Sequence, residues 1–233
     1  MTESQSCPLC QSPQTRDFFE DKVRKYLRCE ICNLIFVPTE FHLSMANEKS
    51  VYDLHENLPS DDGYRHFLSR LFEPVNEIVS KEFGKPANGL DFGSGPGPTL
   101  SLMFEEAGHA MQIYDPFYAN DESALNQQYD FVTATEVVEH FRQPGNDLQT
   151  IWALVKPGGI LGLMTKLALD RDSFSGWHYK NDPTHIAFYS RETIAWLARF
   201  WNAELRIIGN DVILIRRPLH KDRVKRSPDP PYN

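Results

Sequence analysis

The sequence predicts an α/β fold on a mostly parallel sheet, preceded by a small cysteine-stapled module. Three observations carry that reading. All four cysteines fall between Cys7 and Cys32. From residue 84 onward, short apolar runs alternate with helix-length segments, the pattern of parallel strands joined by helical crossovers. The first of those runs, Asn88–Phe92, breaks into a glycine-rich turn, as strands do where a ligand must approach bare backbone.

Composition bounds the rest. The 233 residues carry 24 basic and 32 acidic side chains, a formal net charge of −8. An apolar content of 41% is enough for a core, and 24% charged residues is ordinary, which excludes a disordered or fibrous chain. The length admits one domain, or one domain with a small module. No stretch approaches the roughly 18 continuous apolar residues of a membrane helix. The N-terminal MTESQSCPLC lacks the basic and then apolar pattern of a secretory signal. A cytoplasmic protein with no membrane partner is therefore expected. The acidic balance argues against a nucleic-acid partner.

Residues 1–40 form the first unit. Cys7-x-x-Cys10 and Cys29-x-x-Cys32, eighteen residues apart, read as a four-thiolate zinc site. Two disulfides are the alternative, disfavoured without a secretory signal. The residues following each second cysteine, Gln11 and Asn33, are expected at positive φ, which Asn tolerates better than Gln. Val23, Tyr26 and Leu27, then Leu34–Val37, suggest short strands of a zinc ribbon. Four protein ligands leave no open position for chemistry, so this zinc reads as structural. The module could also dock a protein partner.

Residues 41–83 read as a mostly helical linker or lid. Tyr64, Phe67, Leu68, Leu71 and Phe72 recur at helical spacing, and Pro74 would kink that helix or begin the next. The α/β unit spans residues 84–217. Strands are expected at Asn88–Phe92, Ala110–Tyr114, Tyr129–Thr133 and Ile160–Thr165, and helices at Thr99–Ala107 and Asp147–Val155. Ser190 is placed to N-cap a helix Arg191–Phe200. Ala203–Ile208 and Val212–Arg216 would close the sheet as a hairpin. Only twelve residues, Phe117–Gln128, join the second strand to the third. They are too few for a helix and a further strand. A proline-rich flexible tail is expected over residues 218–233.

The turn after the first strand reads Gly93-Ser94-Gly95-Pro96-Gly97. Glycines at every second position allow a sharp bend and leave room for a ligand. Asp115 ends the second strand, where a carboxylate can accept from both hydroxyls of a ribose.

Leu90–Gly97, Tyr114-Asp115, Tyr129–His140 and Leu154–Gly159 together resemble the ordered motifs of class I S-adenosylmethionine-dependent methyltransferases, over roughly residues 84–216. The resemblance implies a Rossmann-like sheet, with one strand missing here. It implies S-adenosylmethionine as cofactor, with Asp91, Gly93, Ser94, Gly95 and Gly97 at its amino-acid end and Asp115 on its ribose. The cysteine module is similar to that of zinc-domain sugar C-methyltransferases.

Glu136-Val-Val-Glu139-His140 follows the third strand. In a helical turn its three polar side chains would share one arc of about 100°, a plausible divalent-cation site with His185 as a distant fourth ligand. The arrangement resembles ubiquinone-biosynthesis O-methyltransferases and small-RNA 2′-O-methyltransferases. That resemblance implies Glu136, Glu139, His140 and His185 around magnesium or a similar ion. Without a metal, His140 or His185 would serve as a base. The segment Phe174–His185 is long, aromatic and polar. Trp177, His178 and Tyr179 are its candidate contacts to an acceptor.

The leading expectation is a methyltransferase for a small-molecule acceptor, with O- and C-methylation both open. An RNA methyltransferase docking through its zinc module is an alternative, supported by Arg216, Arg217, Lys221, Arg223, Lys225 and Arg226. A non-catalytic adaptor that keeps the fold is another.

Overall fold

The computed structural model describes residues 5–54 and 57–219. The chain enters through a hairpin, β1 (Thr15–Glu20) and β2 (Lys25–Cys29), followed by the two-residue β3 (Ile35–Phe36). Two helices follow, α1 (Met45–Tyr52) and α2 (Asp62–Glu82). Then come β4 (Asn88–Phe92), α3 (Thr99–Glu106), β5 (Ala110–Tyr114) and β6 (Tyr129–Thr135). Helix α4 (Pro144–Leu154) leads into β7 (Val155–Met164). The short α5 (Arg171–Ser175), β8 (Ala187–Phe188), α6 (Arg191–Phe200), β9 (Glu204–Ile208) and β10 (Val212–Arg216) complete the fold.

Six strands form the main sheet in the order β5-β4-β6-β7-β10-β9. The first four run parallel, and β10 pairs antiparallel with both β7 and β9. Side chains alternate across the sheet, as the two-residue period of a strand requires. On β6, Phe131 faces Leu68, Leu71 and Val75 of α2 and Phe104 of α3, whereas Val132 belongs to the opposite layer with Leu148 and Ile151 of α4 and Ile194 and Leu197 of α6. That sandwich places the carboxyl ends of β4, β5, β6 and β7 along one edge, where open α/β sheets take their ligands.

The capping chemistry works as its residue types dictate. The Asp61 carboxylate accepts from the backbone of Gly63 and Tyr64 to start α2. Ser190 and Thr193 form a capping box on α6. Pro74 neither ends nor divides α2, which runs through it as one helix. The strand entering the sheet at β7 begins earlier than its residues imply. Lys156, Pro157 and Gly158 lie within β7, because the Gly158 amide donates to the Arg217 carbonyl and the Arg217 amide to the Gly159 carbonyl.

The cysteine module does not close within residues 1–40. Its sheet has the order β1-β2-β3-β8, and β8 comes from beyond the main parallel strands. Ile35 pairs with Phe188, and Phe36 with Ala187. Its inner face packs into the core that holds α4 and α6 through Cys7, Leu9, Leu34 and Phe36. Its outer strands share a second core with Phe174, Tyr179 and Ile186. A unit this small lacks the apolar area to fold by itself, and here the larger sheet supplies it.

No described helix is long and apolar enough to cross a membrane. Most of the expected C-terminal tail, including Lys221, Arg223, Lys225 and Arg226, lies outside the described residues.

Candidate functional site

The four cysteine sulfurs converge. Cys7 and Cys32 Sγ are 3.4 Å apart and Cys10 and Cys29 Sγ 3.5 Å, with no disulfide among them. All four lie within 4.8 Å of one another. Zinc–sulfur bonds of about 2.3 Å place tetrahedral sulfurs about 3.8 Å apart, so the set fits zinc. Gln11 and Asn33 adopt φ of 62° and 61°, the left-handed turn expected after each cysteine pair.

The glycine turn is bent by its own backbone. Gly93 and Gly95 have φ of 76° and 64°. The amides of Gly93 and Ser94 both donate to the carbonyl of Tyr114 at the end of β5. The Ser94 hydroxyl is buried with no hydrogen-bond partner among the described residues, an orphaned donor that fits a ligand held by this loop. Asp91 is buried, accepts from the Thr133 hydroxyl at 2.9 Å, and is pushed up to about 7 by burial. Tyr64 of α2 stands close by. Its phenol is pushed up to about 12 by burial, with the Asp91 and Glu136 carboxyls adding to the effect.

Asp115 accepts hydrogen bonds from the backbone through both of its carboxylate oxygens. Oδ2 accepts from the Gly95 amide at 2.9 Å, and Oδ1 accepts from the amides of Phe117 and Tyr118 at 2.8 and 3.1 Å. The carboxylate therefore clamps the glycine turn to the Pro116 turn, and Oδ2 keeps a lone pair for a ligand. The chain ahead of α2 lies on the same loop. A Cβ at Gly97 would stand 1.9 Å from the carbonyl oxygen of Asn57, which also accepts from the Thr99 hydroxyl at 3.3 Å.

The acid and histidine cluster begins one residue beyond β6. The expected helical turn is absent. Glu136 is left-handed, with φ of 53°, its amide donating to Met164, and only Val138–His140 coil as a short 3₁₀ turn. Glu136 is not among the described residues whose ligand atoms converge within 4.8 Å here. The described residues that could share one ion here are Glu139, His140 and His185. A Cβ at Gly93 would meet the Val137 methyl carbons at 2.4 and 2.8 Å, so this turn sits directly against the glycine loop.

Each member of the cluster is oriented from behind. His185 Nδ1 donates to the Tyr179 carbonyl at 2.7 Å, and His140 Nδ1 to the Thr184 carbonyl at 3.1 Å. Those bonds assign the tautomers and leave Nε2 as the lone-pair nitrogen in both rings. Glu139 is fully buried; Oε1 accepts from the Tyr179 hydroxyl, and Oε2 has no partner among the described residues. Burial and the charge of Glu136 push its carboxyl up to about 8. A cation would remove that penalty. Burial, together with the neighbouring His140, pushes His185 down to about 3. Such an imidazole is a poor general base near neutral pH and a good neutral ligand. Two nitrogens among three donors suit manganese, cobalt or zinc better than magnesium, which prefers oxygen. Magnesium thus finds a poor donor set.

The three expected acceptor contacts separate. Tyr179 is buried, its ring 4.2 Å from that of His185 and its hydroxyl on Glu139, so it supports the cluster. Trp177 is half-buried and lines a cavity of about 240 Å³ together with Arg70, Lys166, Leu169 and Phe174. His178 is exposed and accepts from the Lys166 ammonium at 3.0 Å. Sequence reasoning missed Tyr52, whose ring stands edge-on to His140 at 5.2 Å. Nothing in the polar stretch around it marks that role.

The chain is similar in sequence and in fold to proteins already known. Ubiquinone biosynthesis O-methyltransferase of Aeromonas salmonicida (strain A449) is 33% identical over 82 residues, 35% of this chain and 34% of the relative. The protein of that name from Vibrio vulnificus (strain YJ016) is 38% identical over 84 residues, 36% and 35% of the two chains. The chain thus aligns with about a third of the length of the curated relatives it matches. Among solved structures, 1,6-didemethyltoxoflavin-N1-methyltransferase of Burkholderia thailandensis superposes with a TM-score of 0.47 at 16% identity, covering 87% of this chain and 99% of that one. Magnesium protoporphyrin IX methyltransferase of Synechocystis PCC 6803 gives 0.48 at 14% identity, covering 76% and 93%. The methyltransferase-domain family matches residues 64–208, more than half of the sequence, and the chain belongs to that family, with a class I sheet lacking one strand.

Proposed function

We propose that the protein transfers a methyl group from S-adenosylmethionine to a hydroxyl oxygen of a small molecule. The observation that carries this reading is the contact of Gly93 with Val137, which sets the glycine loop against the Glu139–His140–His185 cluster. The bound cofactor would supply a sulfonium methyl, already a strong electrophile. Gly93, Ser94, Gly95 and Gly97 would hold its amino-acid end, with Asp91 behind them and Asp115 Oδ2 toward the ribose. The work left to the protein is positioning, exclusion of water and deprotonation of the acceptor.

Glu139 Oε2, His140 Nε2 and His185 Nε2 would hold a divalent cation, a Lewis acid that lowers the pKa of an acceptor hydroxyl. Tyr179 and the two backbone carbonyls hold these donors in place. Trp177 and the cavity beside it would receive the body of the acceptor. The curated relatives, named as O-methyltransferases, favour oxygen over carbon as the methylated atom. The four cysteines would hold a structural zinc.

Turnover of S-adenosylmethionine across phenols, quinols, sugars and RNA, with manganese, cobalt or magnesium added after chelation that spares tight zinc, tests the reading. Methylation of a hydroxylated small molecule is expected, restored best by manganese or cobalt. His185→Ala should cut turnover and leave cofactor affinity nearly intact. Full activity after exhaustive chelation would remove the cation, and failure to bind S-adenosylmethionine in calorimetry would remove the reaction.

A further inference from the structure

We infer that the cysteine module is a brace for the acceptor half of the site, and that Arg24 at its hairpin turn is the positioning residue through which it acts. The inference rests on the catalytic reading above for its consequence, but not for its geometry. Arg24 lies between β1 and β2, where a basic side chain would normally extend into solvent. Instead it is only 6% exposed. Its Nε donates to the Tyr26 hydroxyl at 2.9 Å. Its two terminal nitrogens donate to three backbone carbonyls more than 150 residues away, those of Lys180, Asp182 (2.8 Å) and Pro183 (3.3 Å). Beside it, the buried Lys180 ammonium donates to Asp21 Oδ2 at 3.0 Å. The same Asp21 carboxylate closes the hairpin turn by accepting from the amides of Val23 and Arg24.

The stretch held this way has little regular structure of its own, only a short 3₁₀ turn at His178–Asn181. Its carbonyls must find donors elsewhere. They divide between two clients. Those of Lys180, Asp182 and Pro183 go to Arg24, with the Tyr26 hydroxyl also on Lys180 and the His185 amide also on Asp182, and those of Tyr179 and Thr184 go to His185 Nδ1 and His140 Nδ1. The amide of Ile186 adds a bond to the Glu139 carbonyl. One edge of the loop is thus fixed by the cysteine module, and the other orients both imidazoles. A planar guanidinium presents its donors in a rigid fork, so it fixes the relative orientation of three peptide planes, which a lysine ammonium cannot do.

A purely structural module would share a core with the larger sheet but would not need a buried cation aimed at this loop. The two roles give different readouts. Supporting groups behind metal ligands typically cost 10- to 100-fold in affinity or activity when removed. In the full-length, zinc-loaded protein, Arg24→Met should therefore lower kcat by about 10- to 100-fold, with S-adenosylmethionine affinity within about twofold. Manganese titrated into the same protein should bind correspondingly more weakly. Hydrogen exchange should accelerate at residues 179–186 and remain unchanged in β4–β7. Arg24→Lys keeps the charge and the stem, and should reproduce the defect without rescue; it also serves if the methionine variant fails to fold. Unchanged loop exchange and unchanged manganese affinity in either variant would overturn the brace. If the wild-type protein methylates nothing, the catalytic reading fails, while exchange and manganese affinity still decide this one.

Discussion

The Gly93–Val137 contact is the joint between the two halves of the site, and it can be measured. Gly93→Ala imposes two costs. An L-residue at a φ of 76° loses roughly 1–2 kcal/mol to its own backbone. The new methyl would also stand 2.4 and 2.8 Å from the Val137 methyl carbons, well inside van der Waals contact, and overpacking of this kind costs about 1–3 kcal/mol. Together the variant should lose about 3 kcal/mol, combining those two costs. Val137→Ala alone removes two half-buried methyl groups and should cost about 1 kcal/mol. In the double variant the two methyl overlaps are gone, and what remains is the backbone strain, the lost methyls and a tight 3.2 Å approach to the residue-137 Cβ. It should therefore be more stable than the sum of the singles by about 1–3 kcal/mol. Urea unfolding of the four proteins at constant pH supplies the cycle, with unchanged m-values as the check that native and unfolded states are comparable. Calorimetry with S-adenosylmethionine on the same proteins should show recovered affinity in the double variant relative to Gly93→Ala. Additivity within about 0.5 kcal/mol would refute the contact, and with it the reason for placing the Glu139 cluster against the donor loop.

Two further outcomes test the buried groups around it. Asp91 has its carboxyl pushed up to about 7 by burial, above its unfolded value near 3.9. The folded state then binds more protons across that interval, so this carboxyl should make stability fall as pH rises from about 4 to about 7, and the raised Glu139 carboxyl should extend the fall to about 8. Asp91→Asn should flatten that slope in urea midpoints; an unchanged slope would place the titration elsewhere. The protein should carry one zinc per chain by elemental analysis. Stripping it should release amide protection in β1–β3 and β8 while the far-ultraviolet signature of the six-stranded sheet persists. Protein that is zinc-free as purified yet equally protected would show that the thiols are not a zinc site.

Where structure is set by neighbours in the chain, it was legible. The strands at Asn88–Phe92, Ala110–Tyr114 and Val212–Arg216 stand at the bounds their apolar runs imply, and the two left-handed residues follow from the cysteine spacing. Where structure is set by distant partners, it was not. The cysteine module's sheet takes in Ala187–Phe188 through β3, a pairing that no local pattern encodes. The same is true of Glu136. A helical turn would have aligned it with Glu139 and His140, but its amide donates to Met164 on the neighbouring strand and its backbone is left-handed there. Arg24 is the extreme case, since an arginine in a hairpin turn looks solvated until the loop that covers it is known.

The missing strand raises the question of how the sheet survives its loss. An open parallel edge invites pairing with other chains, and here β5 is that edge. Its five residues are a short template. The twelve-residue connection then folds back beside it in place of the absent elements. Asp115 bridges to Ala119, and the Tyr129 hydroxyl shares its one proton between the Ala124 carbonyl at 2.8 Å and Gln112 Oε1 on β5 itself at 3.0 Å. Gln127 donates to the same hydroxyl. One buried tyrosine thus ties the connection to the edge strand and to the start of the next strand, replacing a ladder of backbone bonds with a side-chain knot. The consequence falls on the cofactor. The wall beyond Asp115 is a compact turn of Phe117, Tyr118 and the 3₁₀ segment Glu122–Asn126, so contacts to a nucleotide base would have to come from this turn and not from a strand end.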